Sequence, residues 1–400
     1  MNGGFTLNQD FRAFLKKLDP VNTLFLAGTP ILALVGTTYL IFIDGIRIPT
    51  LVLAFVMMIL TGVGVTAGYH RLFAHKAYDA NPLFKFLMLV FGAAAFENSA
   101  RKWASDHRYH HKFVDTDQDP YNIKRGFFYA HMGWVCLKYT DTQVRYTNVP
   151  DLVSDKLVMW QEKYYVWIGV VAGYLIPMAI GALWGDALGA LILAGFTRMV
   201  LNHHFTFCIN SFCHMLGTQP YSDQNTARDS WFMALFTYGE GYHNFHHKFL
   251  SDYRNGIKNY HWDPTKWIIK AVSYLGLTLN LRQISDEKIL LAKLRMDEKR
   301  IVRKLSAGEI RSPLISQELV VTARVKFEEA YLKFQALKVE YKRLKSEKLA
   351  ALNVQISHFN ERLEALKQEI LKAREALLEA MAAWRELCHH IGIQPTQAAV

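Results

Sequence analysis

Apolar residues are concentrated in a few long runs. Thr23–Ile43 and Tyr164–Trp184 each span 21 residues without a charge, and Thr50–Tyr69 spans 20. As helices they are long enough to cross a hydrocarbon layer of roughly 30 Å. A fourth run, from about Ala187 to Phe207, carries Arg198. Arginine at the centre of a membrane helix costs roughly 2.5–3.5 kcal/mol on insertion scales, so Arg198 is expected near one end. The runs pair into two helical hairpins with short tips at Asp44–Ile48 and Gly185–Asp186. Pro82–Phe96 is apolar but only 15 residues long, which predicts an interfacial or re-entrant helix rather than a span.

The second half reads differently. An amphipathic segment, WIIKAVSYLGLTLNLR, begins at Trp267. A polar linker is expected over 286–316. Gln317–Ile391 then holds neither Gly nor Pro. Leu352, Ile356, Phe359, Leu363, Leu366, Ile370, Ala373 and Leu377 alternate four and three apart, the heptad rhythm of a coiled coil. Phe327, Tyr331, Phe334 and Tyr341 keep it loosely, with Lys338 in the next apolar slot. One long coiled-coil helix and a helical hairpin turning near Ala350–Val354 both fit. The expected organisation is all-α: a cytosolic segment over 1–22, a membrane-and-cap domain over 23–285, the linker, a helical tail over 317–391 and a disordered end over 392–400.

With 51% hydrophobic and 20% charged residues the chain is not disordered. Its net charge of +11 suits nucleic acid, an anionic membrane surface or an anionic substrate, and the membrane is favoured because many basic residues fall on loops beside the apolar runs. Arg12, Lys16 and Lys17 precede the first run, and further basic residues fill Arg71–Lys163. By the positive-inside rule both termini and the central loop are cytoplasmic. The four cysteines form no CxxC pair, so neither a disulfide framework nor a thiolate zinc site is expected. No removable signal peptide is read at the N-terminus.

Sixteen histidines are present, and three clusters stand out: His70 with His75, His107 with His110 and His111, and His243 with His246 and His247. All three fall on the same expected side of the membrane. Positions i, i+3 and i+4 lie within about 100° of arc on a helix, so each HxxHH cluster aims three imidazoles from one face. His70 and His75 are five apart, about 140° around a regular helix, and meet only if the helix ends or bends near Arg71–Ala74. A lone histidine is more often packed or solvated than ligating; two HxxHH clusters and a third pair are not so easily dismissed. Eight clustered imidazoles exceed what one ion takes, so two metal ions are expected. Two iron ions share the electrons that cleave O₂, whereas zinc has no redox chemistry. Asp106, Asp115, Asp117, Asp119 and Glu240 are candidates to hold the far ring nitrogens. His131, His203, His204 and His261 stay ambiguous, while His358, His389 and His390 are expected in solvent. Arg71, Arg101, Lys102, Arg108 and Lys112 form a basic entrance suited to an anionic head group, the alternative being general attraction to the membrane surface.

The segments HRLFAH, HRYHH and GEGYHNFHH, in this order, together with DTDQDPY, RGFFYAHMGW and DPTKW, resemble the membrane-bound fatty acyl desaturases of the Δ9 acyl-CoA or acyl-lipid type over roughly residues 20–285. The resemblance implies four long helices as a stem and a cytosolic helical cap holding two iron ions. It implies His214 as a ninth ligand and Asn210 as a water-mediated neighbour. It also implies a head-group contact at Lys138. The position where animal acyl-CoA desaturases carry an arginine is Ser105 here, which weighs against CoA relative to lipid-bound chains. The implied reaction is O₂-dependent formation of a cis double bond, with electrons from a ferredoxin-like or cytochrome-b5-like partner. A related hydroxylase and a histidine-rich metal transporter are the alternatives. The tail lies outside the resemblance; self-association is one role open to it.

Overall fold

The computed structural model describes residues 15–138, 146–310, 315–350 and 356–392. Arg12, the turn expected within 351–354 and the expected disordered residues 393–400 lie outside the described residues. The chain divides into two compact units: residues 1–219 with 224–283, and residues 220–223 with 284–400.

In the first unit, helix α1 (Pro20–Asp44) starts where Asp19 accepts from the Asn22 N–H and Pro20 takes the first helical position, whose N–H needs no partner. Helix α2 is Ile48–Ala74. A two-residue strand β1 (Asp79–Ala80) leads into α3 (Pro82–Ala94), and α4 (Ala100–Phe113) follows, capped by the Ser99 hydroxyl. Helix α5 is Lys156–Ala182, and α6 runs continuously over 187–210. Short helices α7 (Trp231–Phe236), α8 (His243–Lys248) and α9 (Pro264–Ser273) complete the unit with strand β2 (Thr278–Leu279), antiparallel to β1.

Helices α1, α2 and α5 are long and apolar enough to cross a membrane. Their outward residues are apolar: Phe42 is 79% exposed and Leu34 70%. Water would penalise such a surface and lipid would not. Helix α3 packs on α2 because both present glycine. A Cβ on Gly64 would come within 2.5 Å of the Gly92 nitrogen. The α1–α2 and α5–α6 tips are tied together: Arg47 donates to the Trp184 and Gly185 carbonyls, and Thr50 to Asp186.

Arg198 corrects an expectation. It sits in the middle of α6 and is 1% exposed, not near an end. Its Nε donates to the Ala194 carbonyl at 3.0 Å, and its two terminal nitrogens donate to Ala94 O at 2.8 Å and Gly173 O at 2.9 Å. Three backbone acceptors from three helices replace the water that snorkelling would have sought.

The second unit contains α10 (Asp286–Ser306), α11 (Gln317–Ala350) and α12 (Ile356–His390). Phe327, Tyr331 and Phe334 share one apolar core with Leu377, Met381 and Trp384, so the tail is a pair of packed helices rather than one long one. Leu363, Leu366, Ala373 and Leu377 of the heptad set are buried. The linker expectation fails over 286–306. That stretch is a helix whose Leu290, Leu294 and Ile301 join the same core. Its apolar residues are interspersed with charges. The start is favoured by Asp286 and Glu287 in the first turn, and the end by Arg303 and Lys304 in the last.

Candidate metal centre

The region from Gly64 to Ala74 closes i→i+5 backbone hydrogen bonds instead of i→i+4, ending with His75 N–H to His70 O at 3.0 Å. Residues five apart then stack nearly above one another. The His70 and His75 rings lie 4.8 Å apart at 85°. The expected bend near Arg71–Ala74 is therefore replaced by a wider winding that keeps the helix whole until His75.

Helix α4 presents His107, His110 and His111, and α8 presents His243, His246 and His247. Each cluster splits. His107 and His111 join His70, His75 and His246 in one group; His243 and His247 join His110 and His214 in another. Within each box the i, i+4 pair serves one group and the intervening histidine serves the other. His214 arrives from the turn after α6. Asn210, four residues earlier, ends α6 and faces the cavity described below.

Nε2 atoms meet at 2.8 Å for His75–His107, at 3.0 Å for His70–His246, His111–His107 and His246–His111, and at 3.1–3.3 Å for His247–His243, His243–His214 and His110–His247. A neutral imidazole has one proton, so two chains of converging Nε2 atoms are not satisfied by hydrogen bonds alone. Nitrogens about 2.0–2.1 Å from a shared cation stand near 3 Å from each other, so the donor set fits two metal ions. Burial pushes the imidazoles of His75, His107, His111, His243, His246 and His247 well below the ordinary histidine range, and neighbouring histidines push further. His214 falls to about 3, again chiefly through burial. Neutral rings are what a metal requires.

Three of the far ring nitrogens meet a carboxylate or hydroxyl, as is usual for metal-binding histidines. His110 Nδ1 lies 2.8 Å from Asp119. Burial alone would raise the Asp119 carboxyl, but His110 and the N–H groups of Tyr121 and Asp115 hold it low. His214 Nδ1 donates to Thr226 Oγ1 at 2.7 Å, and that hydroxyl donates to Asp115 at 2.7 Å. His70 Nδ1 stands 3.0 Å from Glu240 Oε2, within ion-pair reach though off the line of a straight hydrogen bond. Burial opposes ionisation of Glu240, yet Arg71 and His70 outweigh it. Asp106 instead pairs with Lys102 at 3.1 Å, and Asp117 is exposed.

Glu240 is reached because its neighbours lack side chains. Gly239 has φ +97°, and a Cβ there would come within 2.5 Å of Asp263; one on Gly241 would lie 2.2 Å from the Ala234 nitrogen. Arg71 is 1% exposed and clamped between Glu240 and Asp263. It is thus a buried tie, not part of a basic entrance. Arg108 is also engaged: it pairs with Asp151 and donates to Phe73 O and Ala74 O, stapling α4 to the end of α2. Arg101 stacks on Tyr146 at 3.9 Å, Lys112 lies 4.9 Å over the Phe113 ring, and Lys138 donates to Lys16 O. Sequence reasoning missed Asp263, Thr226 and Trp103, whose ring stacks on His107 at 4.8 Å. DPTKW contains Asp263, but nothing local paired it with Arg71.

A cavity of about 320 Å³ adjoins the first histidine group, touching His70 and His107 and otherwise walled by residues such as Phe25, Leu26, Val65, Phe96 and Phe207. Three buried carboxyls reach its wall, Glu97, Asp106 and Glu240; Glu97 is joined to Thr206 at 2.8 Å and to the Trp103 indole at 3.3 Å. His203 reaches this wall too, and binds Ala95 O. His131 joins His204 and Ser211, and His261 stacks on Tyr242, all apart from the two groups. His389 and His390 are exposed.

The profile of the family described as "Fatty acid desaturase" matches residues 47–278. The chain is 42% identical over 275 residues to a "Probable acyl-CoA desaturase" of Schizosaccharomyces pombe, covering 68% of this chain and 57% of that protein. It is 43% identical over 244 residues to "Acyl-CoA desaturase 1" of Saccharomyces cerevisiae, covering 61% and 48%. A third relative, "Delta(9)-fatty-acid desaturase fat-6" of Caenorhabditis elegans, is 36% identical over 245 residues, 60% of this chain and 72% of its own. The chain thus matches about half the length of the two fungal proteins. With three membrane-length helices and nine histidines gathered in two groups, it is a membrane protein, and it belongs to the fatty acid desaturase family.

Proposed function

We propose that the protein is an O₂-dependent acyl desaturase that introduces a cis double bond, at Δ9, into a saturated fatty acyl chain. The observation that carries this reading is the pairing of two all-histidine groups with an apolar cavity that reaches His70 and His107. Iron bound by these groups supplies the redox chemistry that removes two hydrogens from an unactivated chain while O₂ is reduced to water. His70, His75, His107, His111 and His246 would hold one ion; His110, His214, His243 and His247 would hold the other.

The protein's part is positioning. The cavity wall is mostly apolar, so it accepts methylenes. Trp103 packs on His107 and is fixed by Glu97, which sets how closely a chain passes the first group. Asn210 serves as the water-mediated neighbour. Arg101, Lys102 and Lys138 serve the head group, carried by CoA or by lipid. A ferredoxin-like or cytochrome-b5-like protein delivers the electrons. We assign α6 as a fourth span because its one internal charge is hydrogen-bonded to three carbonyls. The histidine groups and both termini then face the cytoplasm.

The test is expression in cells unable to make unsaturated fatty acids, with gas chromatography of their lipids. A Δ9 alkene is expected, and His246→Ala should yield none. An alcohol product would make the protein a hydroxylase, and product from His246→Ala would refute the ligand assignment.

A further inference from the structure

Helix α7 has the sequence WFMALF, without one charged or hydroxyl-bearing side chain. Met233 and Ala234 turn inward and are buried. Trp231 is 69% exposed and Phe232 52%, and Leu235 and Phe236 are exposed beside them. A surface helix in water carries a polar outer face; one that is apolar all round belongs in a protein core or in lipid. The turn leaving α7 keeps its backbone polar groups to itself: the Thr237 and Gly239 N–H groups donate to Met233 O and Ala234 O, each at 3.0 Å. The loop after α6 carries the exposed Met215 and Leu216. It is tied to the approach to α7, with Thr218 N–H donating to Asp229 O at 3.0 Å and Asp229 N–H to Thr218 O at 2.7 Å.

Two contacts within the first unit fix the depth of this helix. The hydroxyl of Tyr238, two residues past α7, reaches Met58 O of α2 at 3.1 Å and Asn202 Oδ1 of α6 at 2.6 Å. Gly62 of α2 leaves the space for that ring; a Cβ there would run into it. Phe236, the last residue of α7, meets the Phe205 ring of α6 at 5.8 Å. Counted from Ala187 at about 1.5 Å per residue, Asn202 stands roughly 22 Å and Phe205 roughly 27 Å along α6, both within a hydrocarbon layer of roughly 30 Å. The chain that leaves α6 at Asn210 thus returns alongside it and reaches below the level at which it left.

We propose that α7 is a re-entrant helix seated in the cytoplasmic leaflet, with Trp231, Phe232, Leu235 and Phe236 against the acyl chains of the surrounding bilayer. This rests on reading α6 as the fourth span. Lipid is the occupant because the face continues a lipid-facing surface: Phe236 packs on α6, where Leu201, one turn before Phe205, is exposed as well. A protein partner held by charge or hydrogen bonds has little to grip, since the indole N–H of Trp231 is the one polar group these four side chains present. That indole suits the boundary between head groups and chains, where tryptophan is enriched. Glu240 and His243 follow directly in sequence, so the element that delivers the third histidine cluster is anchored in lipid rather than suspended in water.

The test uses the full chain with its iron, made with fluorotryptophan and placed in phospholipid nanodiscs. Fluorine NMR is recorded, and Trp231→Phe identifies the Trp231 resonance by its loss. A nitroxide carried near the top of a phospholipid acyl chain and a water-soluble gadolinium chelate are added in turn, and the broadening that each adds is read. The lipid nitroxide should erase the Trp231 resonance, and the chelate should leave it standing. Phe232→Trp in the Trp231→Phe background should give the same pair of results from the neighbouring position. Leu201→Trp checks the span separately, because it reports on α6 alone. Erasure of Trp231 by the chelate, with Leu201→Trp erased only by the lipid nitroxide, would overturn the proposal and leave the span intact. A Trp231 resonance untouched by either reagent would overturn it too, by placing the face under protein, whether a second copy or another chain. Erasure of Leu201→Trp by the chelate would refute the span reading and the proposal with it.

Discussion

Replacing Arg71 by methionine isolates a buried charge arrangement in the first unit. The guanidinium donates five hydrogen bonds: two to Glu240 at 2.8 and 3.1 Å, two to Asp263 at 2.9 and 3.2 Å, and one to Tyr253 O at 2.7 Å. Glu240 and Asp263 are no more than 1% exposed, so neither carboxylate can turn to water. Removing one partner of a buried pair costs about 3–5 kcal/mol, mostly from the charge left behind. In a unit of this size that lowers an apparent Tm by roughly 6–20 °C. Arg71→Lys keeps the charge but loses the planar fork, and should fall between. The assay is thermal unfolding of the full chain in detergent, with the C-terminal unit as internal reference. The reasoning makes a sharper demand on the triple variant Arg71→Met, Glu240→Gln, Asp263→Asn. With the stranded charges gone, it should regain more than half of the loss. A triple variant less stable than Arg71→Met alone would refute the account, as would a single-variant cost below about 1 kcal/mol.

Two further outcomes follow from the same geometry. Burial pushes the Glu97 carboxyl up to about 7, so the folded protein keeps a proton that the unfolded chain has lost. Stability should decline as pH rises from the ordinary carboxylate range through 7, and Glu97→Gln should remove that decline, leaving the variant steadier at pH 8 by up to about 3 kcal/mol; equal half-lives at pH 8 would count against a protonated Glu97. Gly239→Ala forces a Cβ into the Asp263 carboxylate at positive φ and should cost at least as much as losing one buried hydrogen bond, about 1–3 kcal/mol, whereas an alanine at open Gly28, inside a helix, should not lower stability in the same melting assay.

Much of the membrane unit was legible because its signals are local. Uncharged runs gave α1, α2 and α5, and the HxxHH spacing gave two faces of imidazoles. Long-range pairings were not legible. Arg71 looks like one basic residue among several on a loop, and only the fold brings Asp263, 192 residues away, against it. Arg198 was misplaced because insertion costs assume lipid, while the fold supplies Ala94, Gly173 and Ala194 carbonyls. Helix α10 reads as linker in the sequence because its eight large apolar residues are interrupted by eleven charges. Thr226 carries no local sign of its link to His214.

The wide winding of α2 bears on how such a centre could be altered. On an ideal α-helix, two side chains five apart diverge, so copying the spacing of His70 and His75 onto a designed bundle would scatter them; a spacing of four would be needed instead. Conversely, deleting one residue between them here should let the segment relax to ordinary winding and pull the upper half of α2 out of register with α3. The extra residue is thus tied to the shape of the helix itself, and an exchange of side chains alone would not compensate for its loss.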